Sequence, residues 1–309
     1  MGLSVFKSGH DLPYAKPTRA TPDHDLFPNY MQNKQGLWLR CTEWWPPTGS
    51  AGAVRGVVFV VCGLGEHTGR YDSVALRLTK EGYAVMAVDN QGSGGSEGVR
   101  LYVENFGDFV DDIQLFIKRT FMRYPQLMHV PRFLLGHSMG GLISTHVALR
   151  DPNYFNGVVL SGPALGSPEV PCSCVTRFLS CLASCMPRLP VKTLNASLVS
   201  HNQEVLELVR QDPYYSNAKL RARFSDQFIK AQESVPSLMS KSTFPFLIVF
   251  GEDDKLCSID VARKFYAEAL STDKDMKTYP GAAHEVLTEV CRVQVMNDVV
   301  NFISKRTTA

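Results

Sequence analysis

The pentapeptide Gly136-His137-Ser138-Met139-Gly140 has the form Gly-x-Ser-x-Gly, with the apolar run Phe133 to Leu135 before it and the helical pattern Leu142, Ile143, Thr145, His146, Leu149 after it. A strand running into a helix through such a turn exposes the serine hydroxyl at a helix N-terminus, because the glycines let the chain bend sharply. A plain tight connection would use the same glycines; the strand and helix on either side favour a nucleophile at Ser138. A serine hydroxyl attacks poorly until an imidazole accepts its proton, so this chemistry needs a histidine that returns to the turn. His10 and His24 lie in the N-terminal stretch, His129 and His146 flank the turn on the wrong elements, and His201 falls in a long insertion. His284 is the best placed, in the small-residue loop Gly281-Ala282-Ala283-His284-Glu285 before the last helical pattern.

The imidazole in turn needs an orienting carboxylate. Phe246 to Gly251 reads as the penultimate strand and is followed by Glu252, Asp253 and Asp254. Asp254 is the choice by register, since the loop turns inward there toward Leu256; Asp253 is the runner-up. Acyl transfer also needs two backbone N–H donors for the developing oxyanion. Met139, directly after the nucleophile, supplies one, and Leu64 in Cys62-Gly63-Leu64-Gly65-Glu66-His67 is expected to supply the other, although two glycines are equally at home in an ordinary turn.

The elements that must position these groups follow from hydrophobic period. Short apolar runs at Val57 to Val61, Ala84 to Val88, Phe133 to Leu135, Val158 to Leu160, Phe246 to Phe250 and Met276 to Tyr279 alternate with helical patterns. Phe106, Phe109, Val110, Ile113, Phe116, Ile117 and Thr120 mark one buried helical face. Such alternation implies an α/β fold, with a mostly parallel central sheet flanked by helices. It lapses between 167 and 241, a helical stretch too long for an ordinary connection and therefore read as a cap inserted in the core. The expected organisation is an N-terminal arm over 1–35 with regular structure starting near Gly36, a core over 36–166 and 242–309, and the cap over 167–241.

With Lys+Arg 32 against Asp+Glu 30 in 309 residues and no long basic run, nucleic acid is not an expected partner. Eight cysteines in a chain able to bury a full core argue for reduced thiols rather than a disulfide scaffold. No basic head with a long apolar stretch opens the chain and no run of about 18 apolar residues occurs, so the expectation is a cytoplasmic protein, at most peripheral to membranes. Gly2 invites a myristoylation reading that fails at Phe6, where Ser or Thr is wanted. The sequence fixes no oligomeric state.

Three segments carry a specific resemblance: Gly63-Leu64-Gly65-Glu66-His67-Thr68-Gly69-Arg70-Tyr71, Gly136-His137-Ser138-Met139-Gly140-Gly141 and Gly251-Glu252-Asp253-Asp254-Lys255-Leu256-Cys257. Together with Asp89 to Gly98 and the stretch from Ser200-x-Asn202 through Asp212-Pro213, they resemble the monoacylglycerol lipase and lysophospholipase family of α/β-hydrolases, over nearly everything from residue 36 onward. The resemblance implies Ser138 as nucleophile, Asp254 and His284 as its partners, Leu64 and Met139 as oxyanion donors, Glu66 and Arg70 at the polar, glycerol-binding end, and Cys257 bordering the acyl site. Cys62 and Ser93 depart from it, standing where the family usually has loop-bracing histidines.

The expected reaction is hydrolysis of a lipid acyl ester, a monoacylglycerol, through an acyl-enzyme on Ser138 and without a cofactor; a lysophospholipid is the alternative substrate. A carboxylate-nucleophile hydrolase is excluded by Ser138 itself; a non-catalytic binding module on the same fold is the remote alternative, and the intact Ser138, Asp254 and His284 speak against it. Val175, Phe178, Leu179, Leu182 and Met186 share a helical face in the cap, read as a transient contact with a membrane surface rather than a helix packed on the core. Cys172, Cys174, Cys181 and Cys185 raise zinc, but Cys-x-Cys with Cys-x-x-x-Cys is not ligand spacing, so no metal is expected.

Overall fold

A computed structural model describes residues 29–47, 54–168, 173–193, 196–216 and 219–307. Most of the stretch read as an N-terminal arm, and Cys172, lie outside the described residues. Along the chain run β1 (Tyr30–Gln32), β2 (Trp38–Trp44), β3 (Gly56–Val61), α1 (Asp72–Lys80), β4 (Tyr83–Val88), α2 (Phe106–Arg123), β5 (Arg132–His137), α3 (Met139–Arg150) and β6 (Gly157–Ser161). Then come α4 (Ser173–Cys185), β7 (Pro190–Lys192), α5 (Gln203–Gln211), β8 (Leu220–Arg221), α6 (Ala222–Met239), β9 (Phe246–Gly251), α7 (Ile259–Glu268), β10 (Lys274–Tyr279) and α8 (Arg292–Lys305). Among the described residues eight strands form one sheet in the order β1-β2-β4-β3-β5-β6-β9-β10, parallel except where β2 meets β1 and β4.

The continuous apolar run Gly-Val-Val-Phe-Val-Val of β3 is what a strand covered on both faces requires. Val57, Phe59 and Val61 join the core under α2, α3, α6 and α7, while Val58 and Val60 join the core under α1 and α8. Helix α2 realises the spaced apolar face, burying Phe106, Phe109, Val110, Ile113, Phe116, Ile117 and Thr120, and starts in a capping box between Asn105 and Asp108.

Regular structure starts earlier than the sequence pattern suggested. Strand β1 opens at Tyr30, inside the stretch read as arm, and β2 extends the sheet edge through a turn in which the Asn33 side chain accepts from Gln35 N and Leu37 N. Between β6 and β9 lie α4, α5, α6 and a two-stranded β7–β8 ribbon. Helix α6 buries Phe224, Ala231, Val235 and Met239 against the main core, whereas α4 buries Ala183 and leaves Val175 and Phe178 exposed, with Met186 exposed just past its end. Among the described residues no helix is long and apolar enough to cross a membrane.

Candidate active site

Ser138 sits between β5 and α3 with φ 52° and ψ −120°, one of two described non-glycine residues at positive φ. Holding a serine there costs about 1–3 kcal/mol, so the surroundings must impose it. Ser138 N donates to Ser161 O at 2.9 Å, and Ser138 O accepts from Gly141 N and Ala164 N, each at 2.9 Å. The two glycines are sterically required: a Cβ on Gly136 would stand 2.3 Å from Gly140 O, and one on Gly140 would stand 2.0 Å from Val61 O. The second contact seats the start of α3 on the end of β3. With Val61 paired to Gly136, the chain leaves β3 and β5 at the same sheet edge, which sets the Cys62-Gly63-Leu64 turn beside His137-Ser138-Met139. Met139 N, as the first helical N–H, has no intrahelical acceptor.

His284 and Asp254 come together from the loops after β10 and β9. His284 Nδ1 lies 2.7 Å from Asp254 Oδ2, with the two side chains 4% and 1% exposed. Asp254 Oδ1 accepts from Leu256 N at 2.7 Å and Cys257 N at 3.0 Å, which fixes the carboxylate before it meets the ring. Of the three acids after β9, this is the one brought to His284. Burial disfavours charge on the imidazole, but Cys257 and Asp254 outweigh it and the His284 pKa is raised well above the ordinary value. Because burial also raises the Cys257 thiol and keeps it protonated, the Asp254 carboxylate is the anion on which that rise rests. The Cys257 thiol lies close enough to interact with both the His284 imidazole and the Ser138 hydroxyl, so hydroxyl and imidazole border one point. His137, its ring centroid 4.8 Å from that of His284, is lowered to about 4 by burial above all and stays neutral beside it.

Glu66, expected with Arg70 at the polar end of the site, is buried, Arg70 is partly buried, and both are already engaged. Glu66 Oε2 accepts from Gly63 N at 2.7 Å and from the Tyr71 hydroxyl at 2.6 Å, and its Oε1 from Arg70 Nε at 3.2 Å. Arg70 then reaches Glu285, next to His284, with Nη2 at 2.6 and 2.7 Å from the two carboxylate oxygens. Burial would raise Glu66, yet the charge of Arg70 and the donors Tyr71 and Gly63 hold it below the usual carboxylate range. Glu285 shares the same guanidinium and is raised, chiefly by burial. The cluster ties the turn carrying Leu64 to the loop carrying His284. Cys62, one of the two departures, is fully buried with Sγ 3.9 Å from Val88 O, and the Asn90 side chain donates to its carbonyl at 3.0 Å.

The β6–β9 segment grips the same two loops. Ser216 N donates to Gly65 O at 2.8 Å, His67 Nε2 meets Asp212 Oδ2 at 2.6 Å, and Glu285 N donates to Val199 O at 2.8 Å. Asp254, Cys257 and His284 also bring three ligand-type atoms within 4.8 Å of one another, but Asp254 and His284 are bonded to each other there; among the described residues no such trio includes a cysteine of α4.

Set beside known proteins, residues 52–290 match the family described as serine aminopeptidase, S33. The chain is 34% identical over 303 residues to the monoglyceride lipase of Mus musculus, covering 96% of this chain and 98% of that one. The chain belongs to the monoglyceride lipase family. Another member, the monoacylglycerol lipase of Mycolicibacterium smegmatis, is 34% identical over 87% of this chain and 93% of its own length. A soluble variant of the Saccharomyces cerevisiae monoglyceride lipase, solved with a substrate analog, superposes with a TM-score of 0.81 at 25% identity, covering 96% of this chain and 100% of that one. The family relation and the strand order agree on an α/β-hydrolase fold.

Residues outside the sequence reading complete the site. Tyr71, Glu285 and the His67–Asp212 pair lie outside the Gly136–Gly140 motif, His137 sits inside it without a role the pattern assigns, and only the spacing of Glu66, Arg70 and Tyr71 hints at a cluster.

Proposed function

We propose that this monoglyceride lipase relative hydrolyses the ester of a monoacylglycerol to glycerol and a fatty acid. Ser138 Oγ attacks the acyl carbonyl as His284 takes its proton, and Asp254 holds the ring and stabilises the imidazolium. The N–H groups of Leu64 and Met139 receive the oxyanion, each contributing about 3 kcal/mol to the lowered barrier. His284 then returns the proton to the departing glycerol oxygen. A water deprotonated by His284 attacks the acyl-enzyme, and the fatty acid leaves Ser138. No step calls for a cofactor.

The observation that carries this reading is Ser138, strained at the turn, bordering through Cys257 an imidazole already bonded to a buried carboxylate. An uncharged head group suits the polar cluster better than a phosphodiester, because Arg70 is already neutralised by Glu66 and Glu285. In this reading 167–241 acts as a cap over the 36–166 and 242–309 core, Cys257 borders the acyl chain, and Glu66 and Arg70 act on the site by bracing the Leu64 turn. The exposed Val175 and Phe178 of α4, with Met186 just beyond it, bring the cap against a lipid surface. The protein is cytoplasmic and peripheral to that surface.

The test is fatty-acid release from a monoacylglycerol and from a lysophosphatidylcholine of equal chain length, by the protein and by Ser138→Ala. Serine-dependent release with the monoacylglycerol preferred is the expected result. Preference for the lysophospholipid would transfer the head-group assignment, and an absence of serine-dependent release from either would sink the reading.

A further inference from the structure

The outward pole of α4 is chemically unusual. At about 100° per residue, Cys174, Cys181 and Cys185 project within about 40° of one another, with Phe178 beside them and Ala183 on the opposite pole. The structure agrees: Ala183 is fully buried, Ser180 on the inner side donates to Asp226 of α6 at 2.5 Å, and all three cysteines are exposed free thiols. Phe178 is 69% exposed. An exposed thiol is reactive and an exposed phenylalanine is costly, so a pole built of both has a use outside the packed protein.

Two uses of these thiols fail on geometry. Residues four apart on a helix hold their Cβ atoms about 5–6 Å apart, beyond the 3.5–4.5 Å of a disulfide, so Cys181 and Cys185 do not close a bridge within α4. Cys174 stands about 10 Å along the axis from Cys181, too far to share a tetrahedral metal. The surroundings point instead to lipid. From Ser173 to Thr193 the chain carries Arg177, Arg188 and Lys192 and no acidic residue, and Val175 and Met186 flank the thiols with half their surfaces open. An apolar helix face that carries Arg177 and is followed by Arg188 and Lys192 suits the boundary of an anionic membrane.

We infer that Cys174, Cys181 and Cys185 are sites of S-acylation by long-chain fatty acyl groups, whose chains anchor α4 in the membrane. The inference rests on the reading that α4 faces lipid. Each cysteine sulfur attacks the thioester carbonyl of a fatty acyl-coenzyme A; the bond from that carbonyl to the coenzyme A sulfur breaks, a new protein thioester forms, and coenzyme A leaves as the thiol with the cysteine's proton. Apolar contact alone, like one acyl chain alone, gives reversible binding, and added chains on the same pole make it durable.

The experiment uses the full chain expressed in cultured animal cells. Free thiols are blocked, thioesters are cleaved with hydroxylamine, and the released thiols are labelled with a polyethylene-glycol maleimide. The expected result is hydroxylamine-dependent labelling at up to three positions, lost in C174S/C181S/C185S, with a severalfold fall in the membrane-pelleted fraction and unchanged hydrolysis of a dissolved short-chain ester. Wild-type protein without hydroxylamine-dependent label, label that survives in the triple variant, or label released by dithiothreitol alone would each overturn the assignment. Binding of bacterially made, unacylated protein to vesicles with anionic headgroups is measured in parallel. Vesicle binding without label in cells removes the acylation and leaves the lipid-facing reading intact, whereas label without vesicle binding does the reverse.

Discussion

The turn at Ser138 and the outer face of α4 lie within about fifty residues of each other and obey different rules. At the turn, two glycines have no room for a methyl group, a serine is held at positive φ, and His284 and Asp254 are almost wholly buried. On α4 a single described residue, Ala183, is buried, and cysteines, a phenylalanine and a valine face outward. Chemistry needs groups fixed to a fraction of an ångström, which only a packed surround supplies. A surface that meets something soft needs composition rather than geometry. The two regions should therefore answer substitution in opposite ways: steep losses of rate or stability at the turn, and changes visible only with a partner at α4.

The largest effect is expected from Asp254→Asn. Losing the anion while keeping the shape should lower kcat by about four powers of ten, because the wrong imidazole tautomer then faces Ser138. The pH profile gives the sharper reading. The free base is needed, so kcat/KM rises with pH as His284 loses its proton, and the raised pKa sets that limb above about 6.5, the ordinary imidazole value. Without the carboxylate the limb should move to lower pH; an unmoved limb would mean that Asp254 does not hold the charge of His284.

Arg70→Met comes next. It leaves Glu66 and Glu285 buried with no cation between them, a loss of about 3–5 kcal/mol in stability by urea unfolding. The sign with pH follows from the variant's acids: their folded pKa values would lie above the unfolded ones, so stability falls as pH rises through that interval. The deficit should thus be smaller at pH 5 than at pH 8. Equal deficits at both would show that Arg70 contributes packing rather than charge.

Gly140→Ala should cost about 1–3 kcal/mol or somewhat more, since the new methyl meets the backbone oxygen of Val61, which cannot swing aside as a side chain would. Catalysis should drop with it, because α3 would shift away from the Leu64 turn. A stable and fully active Gly140→Ala protein would break the claim that the turn is over-determined.

These three positions differ in how they show in the sequence. Gly136-x-Ser138-x-Gly140 is legible because its steric demand is local: the residues that crowd one another are neighbours in the chain or sit on the next strand. The central strands are legible for the same reason, each being an apolar run closed by a turn. The Asp254–His284 pair needed only chain order and strand ends. By contrast, Glu285 becomes part of the site only through Arg70, 215 positions away, and no periodicity marks a contact of that range. Strand β1 escaped because a three-residue edge strand, Tyr-Met-Gln, has too few alternations to display a period. The α4 face was legible as amphipathic, but which pole looks inward was decided by Ala183 and by the Ser180–Asp226 bond, a tertiary fact.

The smallest effect, and the one that most directly separates the two regions, is Phe178→Ser. A side chain 69% exposed makes little native contact, so unfolding stability should stay within about 0.5 kcal/mol of the parent and the pH profile on a dissolved ester should not move. The difference should appear only against lipid: with monoacylglycerol presented in anionic vesicles, the bound fraction and the rate should fall together while the dissolved-ester rate holds. A fall in both rates would mean that Phe178 supports the site through packing, and α4 would then have to be counted with the turn rather than against it. A change in neither would leave the exposed face of α4 without a lipid role, since at an interface the loss of a buried aromatic ring removes about 2 kcal/mol of binding.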